Sequence, residues 1–384
     1  MYAPELTDEQ RMMAETARKL SEEQFKPRAA EWDKRGEPPV ENLKVLAEHG
    51  FLAMSIPEAY GGPGASTLDL VIVLENVARA CANTAIIAAS ADGATPRAIL
   101  HLGSEEQKRR YLPGMCTGEW RPAWGMSEPN AGSDLGAMET RARLDGTDYV
   151  INGNKLWCTA ARISNLFLVF ARMNDDKGLA GIGAILVEAD APGFSVGKHI
   201  ECMGLRGTGM AELLFEDCRV PKDNLLVPPG GMKSLMAVFN ADRIATNPPI
   251  CLGAATAAFD LAVEYLNDRK QFGRRLADFQ GLQWRLADMA IDLEAGRGLL
   301  FQAARRVEDG TLRAIDASVT KTFTNEMSVR VTNGVIQLLG SFGYSTEFPA
   351  ERYLRDVRGL SIGYGTTEIQ RNTIAHEILA EVRQ

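Results

Sequence analysis

The hydrophobic pattern changes its period twice along the chain, and this change limits the fold more than any single motif. Residues 1–120 and 231–384 repeat apolar side chains at helical spacing, whereas residues 121–230 break into short apolar runs between Gly, Asn, Asp and Pro. Such runs are typical of strands, and they lack the regular strand–helix alternation of a doubly wound domain. We therefore predict an α+β protein with an N-terminal all-α domain, a middle antiparallel β-sheet or barrel domain and a C-terminal helical bundle.

Local signals refine this outline at the two helical ends. Thr7 followed by Gln10 forms a capping-box pattern that predicts a helix start. Pro248–Pro249 interrupts an otherwise helical stretch, so we expect a kink or a new helix there. Long helices are predicted over 251–269, 279–308, 314–340 and 367–381.

The composition excludes several classes of function. A net charge of −8 argues against nucleic acid as a partner, since phosphate binding needs clustered basic charge. We expect no membrane span and no signal peptide, because the N-terminus is polar and no apolar run approaches about 20 residues. Six scattered cysteines without a CxxC pair indicate reduced thiols in a cytoplasmic protein, and four isolated histidines predict no metal site.

Nucleotide binding cannot depend on the usual phosphate loops, because the chain has neither GxGxxG after a strand nor GxxxxGK[ST]. SEPNAGSD at 127–134 is a candidate instead. Gly132 would let the backbone approach a ligand, and Ser133 offers a hydroxyl and an N–H for phosphate oxygens. The alternative is a plain polar loop.

Three further motifs carry weaker signals. In LWCTAA, Trp157 and Thr159 would share one face of a strand, where an indole stacks on a planar ring beside a hydroxyl donor; the alternative is an ordinary half-buried strand. DRKQFGRRL at 268–276 offers arginines to a pyrophosphate, or forms a solvated helix end. GFSVG at 193–197 matches the GxSxG nucleophile elbow, but we interpret it as a chance match because its context is β-rich.

The order and spacing of these motifs carry more information than each motif alone. AWGMSEPNAGSD, INGNKLWCTAA, DRKQFGRRL, QLLGSFGY, RDVR and GTTEIQR follow one another so that nearly the whole chain resembles the acyl-CoA dehydrogenase family. The resemblance implies an N-terminal helical domain, a middle antiparallel β-barrel and a C-terminal four-helix bundle. It also implies FAD as the cofactor, and a homotetramer in which a neighbouring subunit closes over the adenosine part.

The resemblance assigns cofactor contacts to two groups of residues. The first group would contact the flavin and pyrophosphate of the same subunit: Trp124, Met126 and Ser127 at the ring edge, Gly132 and Ser133 at the pyrophosphate, Trp157 stacked on the ring, Thr159 at N5, and Thr366 and Glu368 closing the site. The second group would reach the FAD of the partner subunit: Arg269, Gln271, Phe272, Gln337, Leu338 and Gly340.

The catalytic base is the point at which this chain departs from the family pattern. Tyr364 stands where the family usually has its glutamate. A phenol with a reference pKa of about 10 is a poor base at neutral pH. Some family members carry the base on another helix, directly before an arginine, and that position is Asp242 before Arg243 here. We therefore predict that Asp242 is the base and that the Tyr364 N–H still serves the oxyanion; the alternative is an Asp242–Arg243 structural pair.

Several functions on this fold compete. The first is dehydrogenation of a short, branched or cyclic acyl-CoA, with electrons passing to an electron-transferring flavoprotein. The chain is also similar to 3-sulfinopropionyl-CoA desulfinases in STLD, ARACA, GLQW and LADM, but Ile86 lies about where those enzymes have an arginine. Ile86 and Asp242 both favour a dehydrogenase. A carrier-protein-linked acyl oxidase and a non-enzymatic flavoprotein are further alternatives.

Overall fold

The computed structural model describes residues 6–381, and its first third is helical. The Thr7 hydroxyl accepts the N–H of Gln10 at 3.2 Å and the Gln10 side chain accepts the N–H of Thr7, so the capping box starts the first helix as predicted. The helices of this region are α1 (Asp8–Leu20), α2 (Ala29–Arg35), α3 (Val40–Glu48), α4 (Thr67–Ala80), α5 (Ala82–Ser90), α6 (Ala94–Leu102) and α7 (Glu105–Thr117).

The middle of the chain forms one eight-stranded sheet, which confirms the predicted β region. Its strands are β1 (Pro122–Gly125), β2 (Arg141–Asp145), β3 (Asp148–Cys158), β4 (Leu166–Arg172), β5 (Ile182–Glu188), β6 (Phe194–His199), β7 (Ala211–Pro221) and β8 (Leu225–Val227). The strand order is β6-β7-β3-β2-β4-β5-β8, and most neighbours are antiparallel. Two pairings are parallel, β1 with β4 and β2 with β4. GFSVG lies largely on β6, with no helix after it to form a nucleophile elbow.

The last third is again helical. It contains α8 (Met232–Thr246), α9 (Pro248–Asp268), a short hairpin of β9 (Lys270–Gln271) and β10 (Arg274–Arg275), α10 (Gln280–Glu308), α11 (Ala314–Leu339), α12 (Ser341–Tyr344), α13 (Ala350–Leu360) and α14 (Thr367–Glu381). A new helix begins at Pro248, as the Pro248–Pro249 pair predicts, because proline suits the first turn of a helix.

Helices α8 and α9 together are more apolar than the sequence inspection indicated. Residues 232–268 are the one stretch between residues 6 and 381 with the length and composition of a membrane span, at a mean hydropathy of 1.3. The break between Thr246 and Pro248 divides this stretch, and 61% of its most apolar window is buried inside the protein. Its apolar surface therefore already packs against other parts of the chain.

Contacts between the three regions define where a site can form. Helix α6 packs on α8, and α4 packs on α9, so the N-terminal helices cover the helices that follow the sheet. One buried core includes α5, α6, β4 and α8, through Ile87, Ala94, Phe170 and Phe239. The Asp356 carboxylate accepts the Leu205 N–H at 2.6 Å and joins α13 to the middle region. All three regions thus meet around α8.

The six cysteines are free thiols in the structure. Burial raises the pKa of the Cys251 thiol to about 11, so it stays protonated at neutral pH. Within residues 6–381, no three His, Cys, Asp or Glu side chains lie together as metal ligands.

Candidate active site

Asp242 lies at the junction of the three regions, where α8 passes the start of α6. Asp242 is only 1% exposed. The Thr246 hydroxyl donates to the Asp242 backbone carbonyl at 2.8 Å, and it also lies 3.4 Å from Oδ1 of the Asp242 side chain. Gly93 faces the carboxylate closely: a Cβ at this position would lie 3.3 Å from Asp242 Oδ1 and 3.0 Å from the Ala89 carbonyl. The carboxylate is therefore held in a narrow space between two helices.

Burial raises the pKa of Asp242 to about 7, although Arg97 and Arg243 oppose this increase. Asp92 adds a second negative group nearby and pushes the pKa of Asp242 up slightly. No ion pair joins Asp242 to Arg243, whose Nη1 donates instead to Asn240 at 2.8 Å and whose Nε has no partner among the described residues. A carboxyl with a pKa near 7 suits a general base at neutral pH.

Tyr364 lies beside the same carboxylate, on the loop between α13 and α14. Its backbone has a φ of 59°, in the left-handed region, and its ring lies 5.6 Å from that of Trp124. Burial and the negative charge of Asp242 raise the pKa of the Tyr364 phenol, whereas an interaction with Thr246 opposes the increase. The phenol therefore stays protonated and cannot replace a carboxylate as base.

An aromatic wall closes the other side of this space. Trp124 of β1 lies 5.4 Å from Phe239 of α8 and 6.4 Å from Phe170 of β4, in edge-to-face geometry. Such packing excludes water and fixes the ring positions. Through Trp124, the wall also contacts the ring of Tyr364, which lies beside Asp242.

The predicted flavin-stacking residues lie on the open surface of the sheet. Trp157 is 54% exposed and has a φ of 63°. The simple two-residue alternation expected for Trp157 and Thr159 is wrong: β3 has a register shift between Lys155 and Cys158 and ends at Cys158, so the backbone turns before Thr159. The irregular backbone presents the indole outward, as a ligand-stacking residue requires.

A buried ion pair supports the loop of the SEPNAGSD motif. Lys155 Nζ donates to Glu128 Oε1 at 2.6 Å, and both side chains are almost fully buried. Glu128 also accepts the N–H groups of Glu139 and Thr140 at 2.6 and 3.0 Å. The Ser127 carbonyl accepts the Leu156 N–H at 2.8 Å. The loop is thus tied to β3, next to Trp157.

The residues around this surface fit a flavin nucleotide. Ser127, Ser133 and Thr159 have hydroxyls without a hydrogen-bond partner among the described residues, so they are available to a ligand. A Cβ at Gly132 would meet no protein atom within 4 Å, which leaves the backbone there open. Unpaired donors beside an exposed indole match the donor and stacking needs of a ring system linked to phosphates.

The second predicted cofactor group forms a separate cluster. Phe272 is 93% exposed on the β9–β10 turn, and the Arg269 guanidinium lies 6.0 Å from the Phe342 ring. Gly340, at the end of α11, has a φ of 61°. Gln337 is exposed, whereas the side chain of Leu338 is buried in the helical core. Among residues 6–381, no hydrogen bond, ion pair or ring contact joins this cluster to Trp157 or Trp124.

Thr366 and Glu368 lie at the start of α14, directly after Tyr364 and Gly365. The Thr366 hydroxyl accepts the Ile369 N–H at 3.2 Å and caps the helix, and Glu368 is exposed. Gln370 donates to the Tyr364 and Gly365 carbonyls at 3.4 and 3.2 Å. These contacts hold the loop that carries Tyr364.

Sequence inspection missed several residues that the structure brings to the site. They include two charged side chains near Asp242 and the ion pair below the SEPNAGSD loop: Asp92, Arg97, Glu128 and Lys155. One signal was available for Arg97, which is the lone charged residue in the run GATPRAIL at 93–100. A charge at a core-facing helix position indicates either a buried pair or a ligand contact.

Comparison with known proteins agrees with the order of the three regions. Three family models match in order: the N-terminal domain of acyl-CoA dehydrogenase at residues 7–119, the middle domain at 123–218 and the C-terminal domain at 230–379.

Among curated relatives, a short-chain-specific acyl-CoA dehydrogenase of Clostridium acetobutylicum is 37% identical, covering 97% of this chain and 98% of that protein. A 3-sulfinopropanoyl-CoA desulfinase of Cupriavidus necator is 42% identical, covering 99% of this chain and 96% of that protein. The structure of butyryl-CoA dehydrogenase from Megasphaera elsdenii superposes with a TM-score of 0.95 at 32% identity, covering 98% of this chain and all of that one. The chain therefore belongs to the acyl-CoA dehydrogenase family, whose members are FAD-dependent oxidoreductases.

Proposed function

We propose that this protein oxidises a short, branched or cyclic acyl-CoA thioester at its Cα–Cβ bond, with Asp242 as the base. The observation that carries the proposal is the position of Asp242: buried, with a pKa raised to about 7, and beside the tyrosine that replaces the usual family glutamate. If Asp242 is the base, the reaction does not need a carboxylate at position 364, where this chain has a tyrosine.

Different residues of the chain carry out different parts of the reaction. Asp242 removes the weakly acidic α-proton and carries it as a neutral carboxylic acid. FAD, when bound, supplies the acceptor for the hydride that leaves Cβ. The Tyr364 N–H has no acceptor among the described residues, so it is free to donate to the thioester oxygen as negative charge develops there. The aromatic wall of Trp124, Phe170 and Phe239 keeps water from this oxygen.

We further propose that the functional unit is a cytoplasmic homotetramer that passes electrons to an electron-transferring flavoprotein. Arg269, Gln271 and Phe272 would complete the FAD site of a neighbouring subunit. Their separation from the Trp157 surface within one chain, and the 93% exposure of Phe272, support this arrangement.

A redox-neutral elimination is the second candidate. It is favoured by the relative named a desulfinase and by Arg97, which supplies a cation near Asp242 from α6 although Ile86 occupies the position expected for an arginine. A variant of the first candidate is oxidation of an acyl group attached to a carrier protein instead of CoA. The reacting carbons and the chemistry are the same in both substrates.

An anaerobic titration of the oxidised, FAD-loaded protein tests the proposal. Thioesters of short linear, branched and cyclic acids are added singly, and bleaching of the flavin is followed. We expect bleaching by at least one of them, at a rate that rises with pH through about pH 7 as Asp242 ionises. Sulfite release from 3-sulfinopropanoyl-CoA without bleaching, together with no bleaching by any other thioester, would replace the dehydrogenase by the elimination.

A further inference from the structure

We propose that the substrate of this site carries an anionic group a few carbons from its reacting carbon, and that the Arg97 guanidinium binds it. The chemical class is the CoA thioester of a short diacid, with a carboxylate or a sulfinate at the distal end. This inference deepens the proposed function and rests on it for the position of the reacting carbon.

Arg97 is a buried cation with unused hydrogen-bonding capacity. The residue is 6% exposed, and its Nη2 has no hydrogen-bond partner among the described residues. Its Nε donates to the Asp92 carbonyl at 2.8 Å, which holds the base of the guanidinium fork to the turn before α6. A buried guanidinium without a counterion is costly unless a ligand satisfies it.

The groups that face Arg97 do not satisfy it. Asp92 uses Oδ1 to accept the Ser55 N–H at 2.6 Å, and Asp242 is hydrogen-bonded only to Thr246. Within residues 6–381, Arg97 forms no ion pair with either carboxylate. His101, on the same helix, has a pKa lowered by burial and by Arg97, and an imidazole supplies no negative charge in either protonation state. Asp92 and Asp242 act on the guanidinium only through space, so its Nη2 still lacks the hydrogen-bond acceptor that an anionic ligand would supply.

The position of Arg97 limits the length of the ligand. Arg97 lies close enough to Asp242 to lower the pKa of that carboxyl, and Gly93, at the start of the same helix, faces Asp242 without a side chain. If Asp242 removes a proton from Cα, an anion on Arg97 must stand only a few bonds further along the acyl chain. A long unbranched acyl chain would bring apolar carbons against this cation, which disfavours it.

Ligand pairs that differ only in the distal charge test the inference. S-butyl-CoA and S-(3-carboxypropyl)-CoA are thioethers without an acidic α-proton, so calorimetry on the FAD-loaded protein measures binding alone. We expect the carboxylate ligand to bind about 10- to 100-fold tighter, as a charge-assisted hydrogen bond to Arg97 predicts. Equal binding, or tighter binding of S-butyl-CoA, by the unmodified protein would overturn the inference whatever the variants do.

Variants then assign the preference to Arg97. Arg97→Met, of similar length, should lose the preference for the carboxylate while binding S-butyl-CoA as before, and Arg97→Lys should keep part of it. FAD content and melting temperature report whether each variant is folded. A preference that survives in folded Arg97→Met would refute the role of Arg97.

Reactive thioesters test this inference independently of the proposed function. They also distinguish a carboxylate substrate from a sulfinate substrate. Succinyl-CoA that bleaches the flavin supports a diacid dehydrogenase, and 3-sulfinopropanoyl-CoA that releases sulfite supports a sulfinate substrate. If no thioester reacts but the carboxylate thioether binds preferentially, the proposed function fails and the anion site stands.

Discussion

The two sides of the candidate site are built in opposite ways. On the substrate side, Asp242, Arg97 and Asp92 are ionisable and buried near the contact of α6 with α8. On the cofactor side, Trp157 is exposed, and the half-buried Ser127 and Thr159 have uncharged hydroxyls without a partner among residues 6–381. The substrate side therefore has its electrostatics set by the fold, whereas the cofactor side is completed by what binds to it.

This difference predicts which property a substitution on each side should change. A change on the substrate side alters proton affinity and charge without removing a surface that FAD needs. A change on the cofactor side weakens binding of FAD and leaves the pKa of Asp242 as the fold sets it. An experiment in which one change affects both properties equally would break the comparison.

The largest effect is expected from Asp242→Asn, which keeps the size of the side chain and removes its basicity. Flavin reduction by a reactive thioester should slow by about 10²–10⁴-fold, the usual cost of losing a general base, while FAD content stays unchanged. Stopped-flow measurement of flavin bleaching gives the rate.

Tyr364→Phe is the matched control for that measurement, since it removes one hydroxyl from the same space and keeps the backbone N–H. Its rate should fall by less than about tenfold, because the phenol is not the base. Abolished reduction in Tyr364→Phe, with normal reduction in Asp242→Asn, would show that the base has not moved to Asp242.

An intermediate effect is expected on stability and its pH dependence. The folded pKa of Asp242 is raised from 3.8 to about 7, so the buried carboxyl favours folding less as it ionises. Its contribution is fully present below about pH 4 and is lost as the pH rises through about pH 7. Asp242→Asn, which cannot ionise, should gain stability relative to the unmodified protein by up to a few kcal/mol from about pH 4 to about pH 8, at about 1.4 kcal/mol per pKa unit. Thermal unfolding of both FAD-saturated proteins across this range measures the gain. A constant difference would mean that folding does not raise the pKa of Asp242.

The smallest effect is expected on the cofactor side, from Trp157→Ala. Loss of the exposed indole should weaken FAD binding by about tenfold, or about 1.4 kcal/mol, while the dependence of the reduction rate on pH stays the same. Trp157→Phe retains a planar ring and should keep most of the affinity. Equilibrium dialysis of FAD measures both variants, and an unchanged affinity in Trp157→Ala would exclude stacking on this residue.

The sequence by itself determined the order of helical, β and helical regions, the capping box at Thr7, the helix restart at Pro248 and the family. These features depend on local patterns: apolar spacing, cap residues and proline act within a few neighbours, and motif order survives in one dimension. The resemblance to the family identified Asp242 as a candidate, because some members carry the base on this helix directly before an arginine.

Only the tertiary structure decided the environment of that candidate. The packing of α6 on α8 brings Gly93 and Arg97 to Asp242 from about 150 positions away along the chain, and burial by that packing raises the pKa of the carboxyl. The ion pair of Lys155 with Glu128, and the bulge that turns Trp157 outward, likewise depend on strand partners distant in sequence. Desolvation and charge proximity are properties of three-dimensional neighbours, so they become visible only when the chain has folded.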